Sequence, residues 1–121
     1  MTQDSTYTLY RKGMELLEDG SFAEATTPLE EAARRAPEKT SVREALGRAY
    51  FRNRQFPEAA VEFTAVVESA PVNDFAHFCL GRALTMTGDT ARARHHLALA
   101  SNLQPQRSDY RLYRDRARRA A

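Results

Sequence analysis

The sequence has little of what marks a secreted or membrane-spanning protein. Its single cysteine, Cys79, makes an internal disulfide impossible, so nothing points to an oxidising compartment. Its uninterrupted apolar runs are only a few residues long, far short of the roughly 20 that a membrane span requires. The first residues lack the basic and apolar regions of a secretory signal. We therefore expect a cytoplasmic protein without membrane insertion.

Motifs of catalysis and of cofactor binding are also missing. There is no Gly-rich phosphate loop, no nucleophile motif and no carboxylate pair set apart from ordinary helix-surface charges. His95 and His96 are adjacent, so in a helix their side chains point about 100° apart and cannot share one ion. No cysteine or carboxylate joins them or His77 at the spacing of metal ligands. We expect no enzyme activity, no cofactor and no metal.

Positive charge is concentrated at the end of the chain. The formal net charge is +2, but the segment from Arg107 onwards holds six arginines against two aspartates, and the rest is slightly acidic. Clustered arginine can bind phosphate without sequence preference. Because the excess is small and the tyrosines of this segment are better explained by packing, we expect no nucleic-acid binding.

What the sequence does have is an internal repeat with a period of about 34 residues, present three times without an insertion. Five series of residues carry the period: Gly13, Gly47, Gly81; Ala25, Ala59, Ala93; Leu29, Phe63, Leu97; Ala32, Val66, Ala100; and Pro37, Pro71, Pro105. A fixed period in this range is typical of stacked units that cannot bury their apolar faces alone. Such chains present a surface, so the sequence indicates a protein-binding scaffold and leaves the partner open.

Each period predicts two helices, and a seventh helix follows the last proline. The predicted helices run over Tyr7–Asp19, Phe22–Arg35, Ser41–Asn53, Pro57–Ser69, Asp74–Thr87, Thr90–Asn102 and 108–120. Gly20 and Gly88 suit the tight turn inside repeats one and three, because glycine takes a positive φ freely. Arg54 has that place in repeat two and must adopt the turn at some cost.

Local residues predict where these helices begin. Ser21 with Glu24, and Ser41 with Glu44, have the spacing of a capping box. The other predicted helix-start residues are Pro57 at a first helical position, Asp89 as an N-cap, and Ser108 or Asp109 as the cap of the last helix. Pro28 predicts a mild kink, or a helix that starts only at Thr27.

A glycine inside a helix costs about 1 kcal/mol relative to alanine, so the three repeated glycines need a reason. We expect them to mark close approach of the paired helix, with the small alanines Ala25, Ala59 and Ala93 facing them. Each period is then an antiparallel hairpin, and successive hairpins stack.

These residues identify a resemblance to the tetratricopeptide repeat family over about Thr6 to Pro105. Its strongest matches are Leu46-Gly47-Arg48-Ala49 with Tyr50, and Leu80-Gly81-Arg82-Ala83 with Leu84. Leu9, Arg43 and His77 replace the family's usual tryptophan, and Lys12 replaces a leucine. The resemblance implies an all-α fold of seven helices: a right-handed superhelical stack of three hairpins (residues 6–39, 40–73 and 74–107) plus a capping helix. It also implies a concave face formed by the first helix of each pair.

The last helix is predicted to cover the open end of repeat three. Tyr110, Tyr113 and Ala117 share one helix face. The arginines Arg111, Arg114, Arg118 and Arg119 are then expected to face water, which is what the end of a stack requires.

Each first helix carries a second stripe beyond the one that its hairpin partner can bury, and the resemblance directs these stripes to the concave groove. Leu9, Gly13 and Leu16 are assigned to the core of repeat one, and Leu17 to the groove side. The candidate groove residues are Tyr7, Tyr10, Met14, Glu44, Arg48, Phe51, Phe75, Phe78, Arg82 and Met86. Aromatic and methionine side chains edged by arginine suit a segment with apolar anchors and an acidic group. The alternative is that they only fill a narrow groove.

The partner is expected to be another protein, bound through a peptide segment or a helix. A self-assembling homo-oligomer and a small secretion-type chaperone are the alternatives. Some family members hold a terminal carboxylate with lysines, asparagines and an arginine. The corresponding places here are Tyr10, Met14, Ala45, Phe75 and Cys79, so a heat-shock cochaperone role of that kind is not expected.

Overall fold

The computed structural model describes residues 4–120, and these form seven helices and no strand. The helices are α1 (Thr6–Glu18), α2 (Phe22–Arg35), α3 (Thr40–Arg52), α4 (Phe56–Ser69), α5 (Asp74–Thr87), α6 (Thr90–Leu103) and α7 (Ser108–Arg119). Each boundary within the described residues lies close to its predicted position. The seven-helix fold expected from the repeat pattern is confirmed.

The repeated glycines admit a large side chain from the paired helix. A Cβ atom on Gly13 would lie 2.3 Å from Leu29 Cγ, and one on Gly47 would lie 2.9 Å from Phe63 Cζ. A Cβ on Gly81 would lie 2.6 Å from Leu97 Cγ. Close approach is therefore confirmed, but the glycines receive the large residue of the partner helix, and the small alanines do not face them. Glycine is required because any Cβ would occupy the volume of that side chain.

The three hairpin turns share one backbone form. Gly20, Arg54 and Gly88 all have positive φ, of 81°, 62° and 86°. In each case the next N–H donates to a carbonyl five residues before it, as Ser21 N does to Leu16 O at 2.8 Å. This bond satisfies a carbonyl that the helix end leaves free. Arg54 thus adopts the left-handed turn, as expected for repeat two.

Two of the predicted caps are wrong, and Pro28 does not delay its helix. Ser21 precedes α2 but makes no capping bond, because its ψ of 66° differs from the extended value of 162° at Ser5, whose hydroxyl accepts from Thr8 N. Ser41 lies inside α3, after the N-cap Lys39, which makes no side-chain cap bond. The helix α2 continues through Pro28.

The remaining cap predictions have mixed outcomes. The N-cap of α7 is Arg107, which makes no side-chain cap bond, and Ser108 is the first helical residue. Asp109 lies inside the first turn, where its carboxylate accepts from Tyr110 N at 3.0 Å. Pro57 takes the second helical position, after Phe56. Asp89 is confirmed as the N-cap of α6, because its carboxylate accepts from Arg92 N at 3.2 Å. Its side chain is one atom longer than that of serine, so it reaches this N–H where Ser21 does not. Asn73 caps α5 in the same way and was not predicted.

Successive repeats are joined by a bond from a first helix to the closing proline before it. The donor has the same repeat position each time, and the three pairs are Arg43 Nε to Pro37 O (2.8 Å), His77 Nε2 to Pro71 O (2.7 Å) and Arg111 Nη1 to Pro105 O (2.5 Å). The bond ties the closing proline of one repeat to the first helix of the next. It also shows that α7 enters the stack as the first helix of a fourth unit.

Two of these donors, Arg43 and His77, also contact the second helix of their own repeat. Arg43 pairs with Glu62 at 2.8 Å. The residue one period after Glu62 is His96, and its Nδ1 lies 3.0 Å from His77 Nδ1. Because the Pro71 carbonyl can only accept, His77 Nε2 donates to it, and one of the two Nδ1 atoms donates to the other. The histidines are therefore packing residues of a repeat junction.

The terminal helix α7 covers repeat three, as predicted. Tyr110 is fully buried against Phe78 and Leu97, and its hydroxyl donates to Asp74 at 2.7 Å. Arg114 departs from the prediction, because it is half-buried and donates to Ser101 Oγ at 3.0 Å.

In each hairpin the glycine of the first helix leaves room for the large residue of the second helix, and we call this contact the glycine seat. Helix α7 has no such glycine. Asp115 stands one period after Gly81 and pairs with Arg114 at 3.0 Å. A charged pair in place of the glycine leaves no seat for the large residue of a paired helix. Helix α7 therefore shares the junction bond of a first helix but not its close contact with a second one.

Candidate functional site: the inner face of the first helices

The first helices of the hairpins form the inner side of the curve. Helix α1 contacts α3, α3 contacts α5, and α5 contacts α7, whereas α2, α4 and α6 do not contact one another within the described residues. Successive elements are closest on the inner side of a curved stack. The surface of α1, α3, α5 and α7 is therefore the concave face.

A cavity of about 280 Å³ opens on this face at the centre of the stack. Its lining residues are Leu17, Glu18, Arg48, Phe51, Arg52, Phe63, Phe75, Phe78, Cys79 and Arg82. Helix α1 contributes its C-terminal end, and α3 and α5 contribute one face each. The walls combine aromatic rings with three guanidinium groups and one carboxylate, so the cavity is apolar inside and basic at its rim.

Half of the candidate groove residues come together at this cavity. Arg48, Phe51, Phe75, Phe78 and Arg82 all line it. Phe75 is more open than Phe78, with 36 % of its surface exposed. These side chains share a face because they lie three, four or seven residues apart within α3 and α5.

The other five candidates lie outside the cavity. Tyr10 and Met14 pack against the core formed by repeats one and two. Tyr7 and Met86 are mostly exposed, at 67 % and 49 %. Glu44 is half-buried, one turn before Arg48 on α3. The predicted stripe is thus divided between a cavity, a core edge and open surface.

Phe78 belongs mainly to the core, which corrects its assignment as an open anchor. Only 6 % of its surface is exposed. Its ring lies 4.6 Å from the Tyr110 ring and 5.2 Å from the Tyr113 ring, measured between centroids. Helix α7 covers most of Phe78, and only one edge reaches the cavity. The stripe pattern within α5 could not reveal this, because the covering residues belong to a distant part of the sequence.

Leu16 is less buried than its core assignment implies, and Leu17, assigned to the groove side, lines the cavity but is also buried. Leu17 is buried in the core at 8 % exposure, whereas Leu16 is only partly buried and lies at the open end of repeat one. Position 17 points toward α3 across the hairpin stack, while position 16 would face a preceding repeat. Leu17 was assigned to the groove side, and it does line the cavity, whereas Glu18, Arg52, Phe63 and Cys79 were not predicted to do so. Helical spacing from Met14, Arg48 and Phe75 was the available signal for Glu18, Arg52 and Cys79, while Phe63 comes from α4.

Arg82 is held by aromatic rings. Its guanidinium carbon lies 4.9 Å from the Phe51 ring, 5.7 Å from the Phe78 ring and 4.9 Å from the Tyr113 ring. Guanidinium over an aromatic face is a favourable arrangement. Among residues 4–120, no carboxylate lies within ion-pair distance of Arg82 or Arg48, although nine other cationic side chains have such partners.

Cys79 supplies an apolar wall and no reactive thiol. Burial, reinforced by the charge of Glu44, raises the pKa of the Cys79 thiol to about 12. At neutral pH the side chain is therefore protonated and a poor nucleophile. Cys79 therefore contributes apolar surface to the cavity wall and no chemical reactivity.

The described residues hold no cluster of three or more histidine, cysteine or acidic side chains placed to bind a metal ion. Within the same part of the chain, each helix is too short or too polar to cross a membrane. The concave site offers shape, aromatic surface and positive charge.

Comparison with known proteins agrees with the repeat pattern. The family model described as tetratricopeptide repeat matches residues 10–74 and again 44–108. No curated protein matches the chain in sequence.

Solved structures with the same fold include three that illustrate the range of similarity. The Arabidopsis OM64 TPR domain superposes with a TM-score of 0.89 at 17 % identity, covering 96 % of both chains. The first TPR of Spaghetti (RPAP3), bound to the HSP90 peptide SRMEEVD, superposes at 0.87 with 18 % identity, covering 93 % of this chain and 90 % of that one. MamA from Desulfovibrio magneticus RS-1 superposes at 0.90 with 21 % identity over 93 % of this chain, which spans 64 % of the MamA chain.

The sequence period, the hairpins with their glycine seats and the family model converge on one assignment. The chain belongs to the tetratricopeptide repeat family, whose domains are protein-interaction modules.

Proposed function

We propose that this protein binds a segment of another protein on its concave face and that the segment places an apolar side chain in the central cavity. The cavity carries the proposal. At about 280 Å³ it is slightly smaller than most small-molecule sites, which measure roughly 300–1,000 Å³. A dry cavity of about 150 Å³ already accepts a benzene ring, so one large side chain fits.

The chemistry of the walls supports a protein ligand. Phe51, Phe63 and Phe75 provide the apolar contact that anchors a partner's side chain, and Arg48 and Arg82 at the rim provide hydrogen-bond donors. Exposed aromatic surface on a concave face is costly in water unless a partner covers it. The peptide complex of the Spaghetti domain supports the proposal by analogy of fold only.

Photo-crosslinking from the cavity rim tests the proposal. A benzoylphenylalanine at position 75 should crosslink to one short segment of a partner protein in the source cell. The same group at position 61 is the control, since Val61 is 65 % exposed on α4, in the other helix layer. Mass spectrometry of the adducts identifies the segment.

A substitution gives the second half of the test. Phe75→Ala should weaken binding of the crosslinked segment by roughly 10-fold or more, as the loss of a buried aromatic anchor does. Val61→Ala should leave it unchanged. Equal crosslinking from positions 75 and 61, or normal binding by a folded Phe75→Ala variant, would reject the concave face as the binding site.

A further inference from the structure

One row of arginines on the inner face continues into the terminal helix. Arg48, Arg82 and Arg116 stand one period apart, at the same position of α3, α5 and α7. Helix α7 therefore repeats the groove side of a first helix, although it lacks the glycine seat. Its inner face is part of the concave surface as well as a cover for repeat three.

These three arginines have no acceptor among the described residues. The other arginines of α7 each have a partner. Arg111 donates to Pro105 O, and Arg119 donates to Asp115 O. Arg114 donates to Ser101 and pairs with Asp115, and Arg118 also pairs with Asp115. Within residues 4–120, Arg48, Arg82 and Arg116 form no ion pair and no hydrogen bond through their side chains. Guanidinium groups that a fold leaves free on a concave face are available to a ligand.

Tyr113 connects two of them. The guanidinium carbon of Arg82 lies 4.9 Å from the centre of the Tyr113 ring, and that of Arg116 lies 5.4 Å from it. The two guanidinium carbons are therefore no further apart than the sum of these two distances. Contact with an aromatic ring uses none of the N–H donors of a guanidinium group, so these donors remain available for forked binding of a carboxylate.

We propose that the bound segment is acidic and that α7 supplies part of the surface that recognises it. Arg82 and Arg116, held by the shared Tyr113 ring, bind two carboxylates of one segment whose apolar side chain occupies the central cavity. This inference depends on the proposed function and adds the chemical class of the partner. Carboxylates about two or three residues apart in an extended segment, or about three to six apart in a helix, lie within the upper limit on the distance between the two guanidinium groups.

The charges that face the row favour an acidic protein over a nucleic acid. The acidic groups on this face are Glu18 at the cavity, Glu44 on α3 and Asp109 on α7, which stands one period after Phe75 and already pairs with Arg107. They face four arginines, Arg48, Arg52, Arg82 and Arg116. The surface is therefore net positive. Single-stranded nucleic acid requires open aromatic faces for its bases. Here the Phe51 and Tyr113 rings already carry the chain's own guanidinium groups.

Two matched peptides test the proposal directly. The first is a short peptide with one central phenylalanine flanked by glutamates, and the second replaces every glutamate with glutamine. Fluorescence anisotropy with the intact protein should show the glutamate peptide binding about 10-fold more tightly or better at low salt, with the difference shrinking as salt is added.

Substitutions on α5 and α7 test which arginines bind the glutamate peptide. Arg82→Gln and Arg116→Gln should each weaken binding of the glutamate peptide about 3- to 10-fold and reduce its salt dependence. Arg118→Gln removes the same charge from the same helix but on its outer side, and should leave binding unchanged. Tyr113→Leu should act like Arg116→Gln, and circular dichroism checks that each variant is folded.

The outcomes separate this inference from the proposed function. Equal binding of the two peptides, or equal effects of Arg116→Gln and Arg118→Gln, would overturn the acidic recognition while crosslinking at position 75 still stands. Failure of both peptides to bind at millimolar concentration would overturn it as well. Tighter binding of a short oligothymidylate through Arg82 and Arg116 would assign the row to nucleic acid instead.

Discussion

Replacing Gly81 by alanine adds one methyl group, which has two opposing effects on the free energy of unfolding. Alanine is favoured over glycine in a helix interior by about 1 kcal/mol. The added Cβ, however, would lie 2.6 Å from Leu97 Cγ, 2.7 Å from Leu97 Cδ2 and 3.3 Å from the Leu97 backbone nitrogen. Since Leu97 is buried at 1 % exposure, its side chain has little room to withdraw.

We expect the packing cost to exceed the gain in helix propensity. Inserting a methyl group into a filled core costs about 1–3 kcal/mol, and the contact with a backbone atom means that α6 itself must shift. We expect Gly81→Ala to lower the free energy of unfolding by about 1–2 kcal/mol, against the gain predicted from helix propensity alone. Gly47→Ala should cost less, because its Cβ meets only the far end of the Phe63 ring, at 2.9 Å.

Urea denaturation followed by circular dichroism measures the effect. The variants Glu15→Ala and Glu15→Gly, at an exposed position in α1, give the alanine–glycine difference without a packing term. A double variant of Gly81→Ala with Leu97→Ala should lose less stability than the two single changes together, by about 0.5–3 kcal/mol. A stabilised Gly81→Ala protein, or strict additivity in the double variant, would refute the close contact.

Three further changes probe the turn, the repeat junction and the cover of repeat three. Arg54→Gly should be about 1 kcal/mol more stable than Arg54→Ala in urea denaturation, because residue 54 has a φ of 62°; equal stabilities would contradict this. Burial and the nearby His77 lower the pKa of His96 to about 4. As the pH falls from about 6.5 to about 4, the unfolded chain binds the proton first, so stability should drop. Because His96 is only half-buried and water screens its charge, we expect a drop of about 1 kcal/mol. Thermal melts of the wild type and His96→Gln measure this, and an equal drop in both would exclude His96 as the cause. Phe78→Ala should cost about 3–5 kcal/mol, since its ring is 6 % exposed; a loss below about 1 kcal/mol would place Phe78 in the open groove.

The helices and their pairing were predictable because they depend on local spacing. The repeat period locates each hairpin, and an otherwise unfavourable glycine at a fixed place in each first helix indicates a close contact. The positive φ of Arg54 also followed from its alignment with Gly20 and Gly88. The caps were less predictable, since Ser21 has a suitable side chain but a backbone conformation set by the hairpin turn.

The concave site depended on contacts between distant parts of the chain. A helix stripe shows that Phe78 and Arg82 share a face of α5, but only the docking of α7 buries the first and surrounds the second with aromatic rings. In the same way, His77 and His96 pair because the antiparallel packing of α5 and α6 brings the two side chains side by side. The sequence by itself determined the repeats, the helices and the close approach at the glycines, because those follow from local periodicity. Which inner side chains line a cavity and which are covered was decided by the tertiary structure, because burial depends on neighbours that belong to other helices and lie far away along the chain.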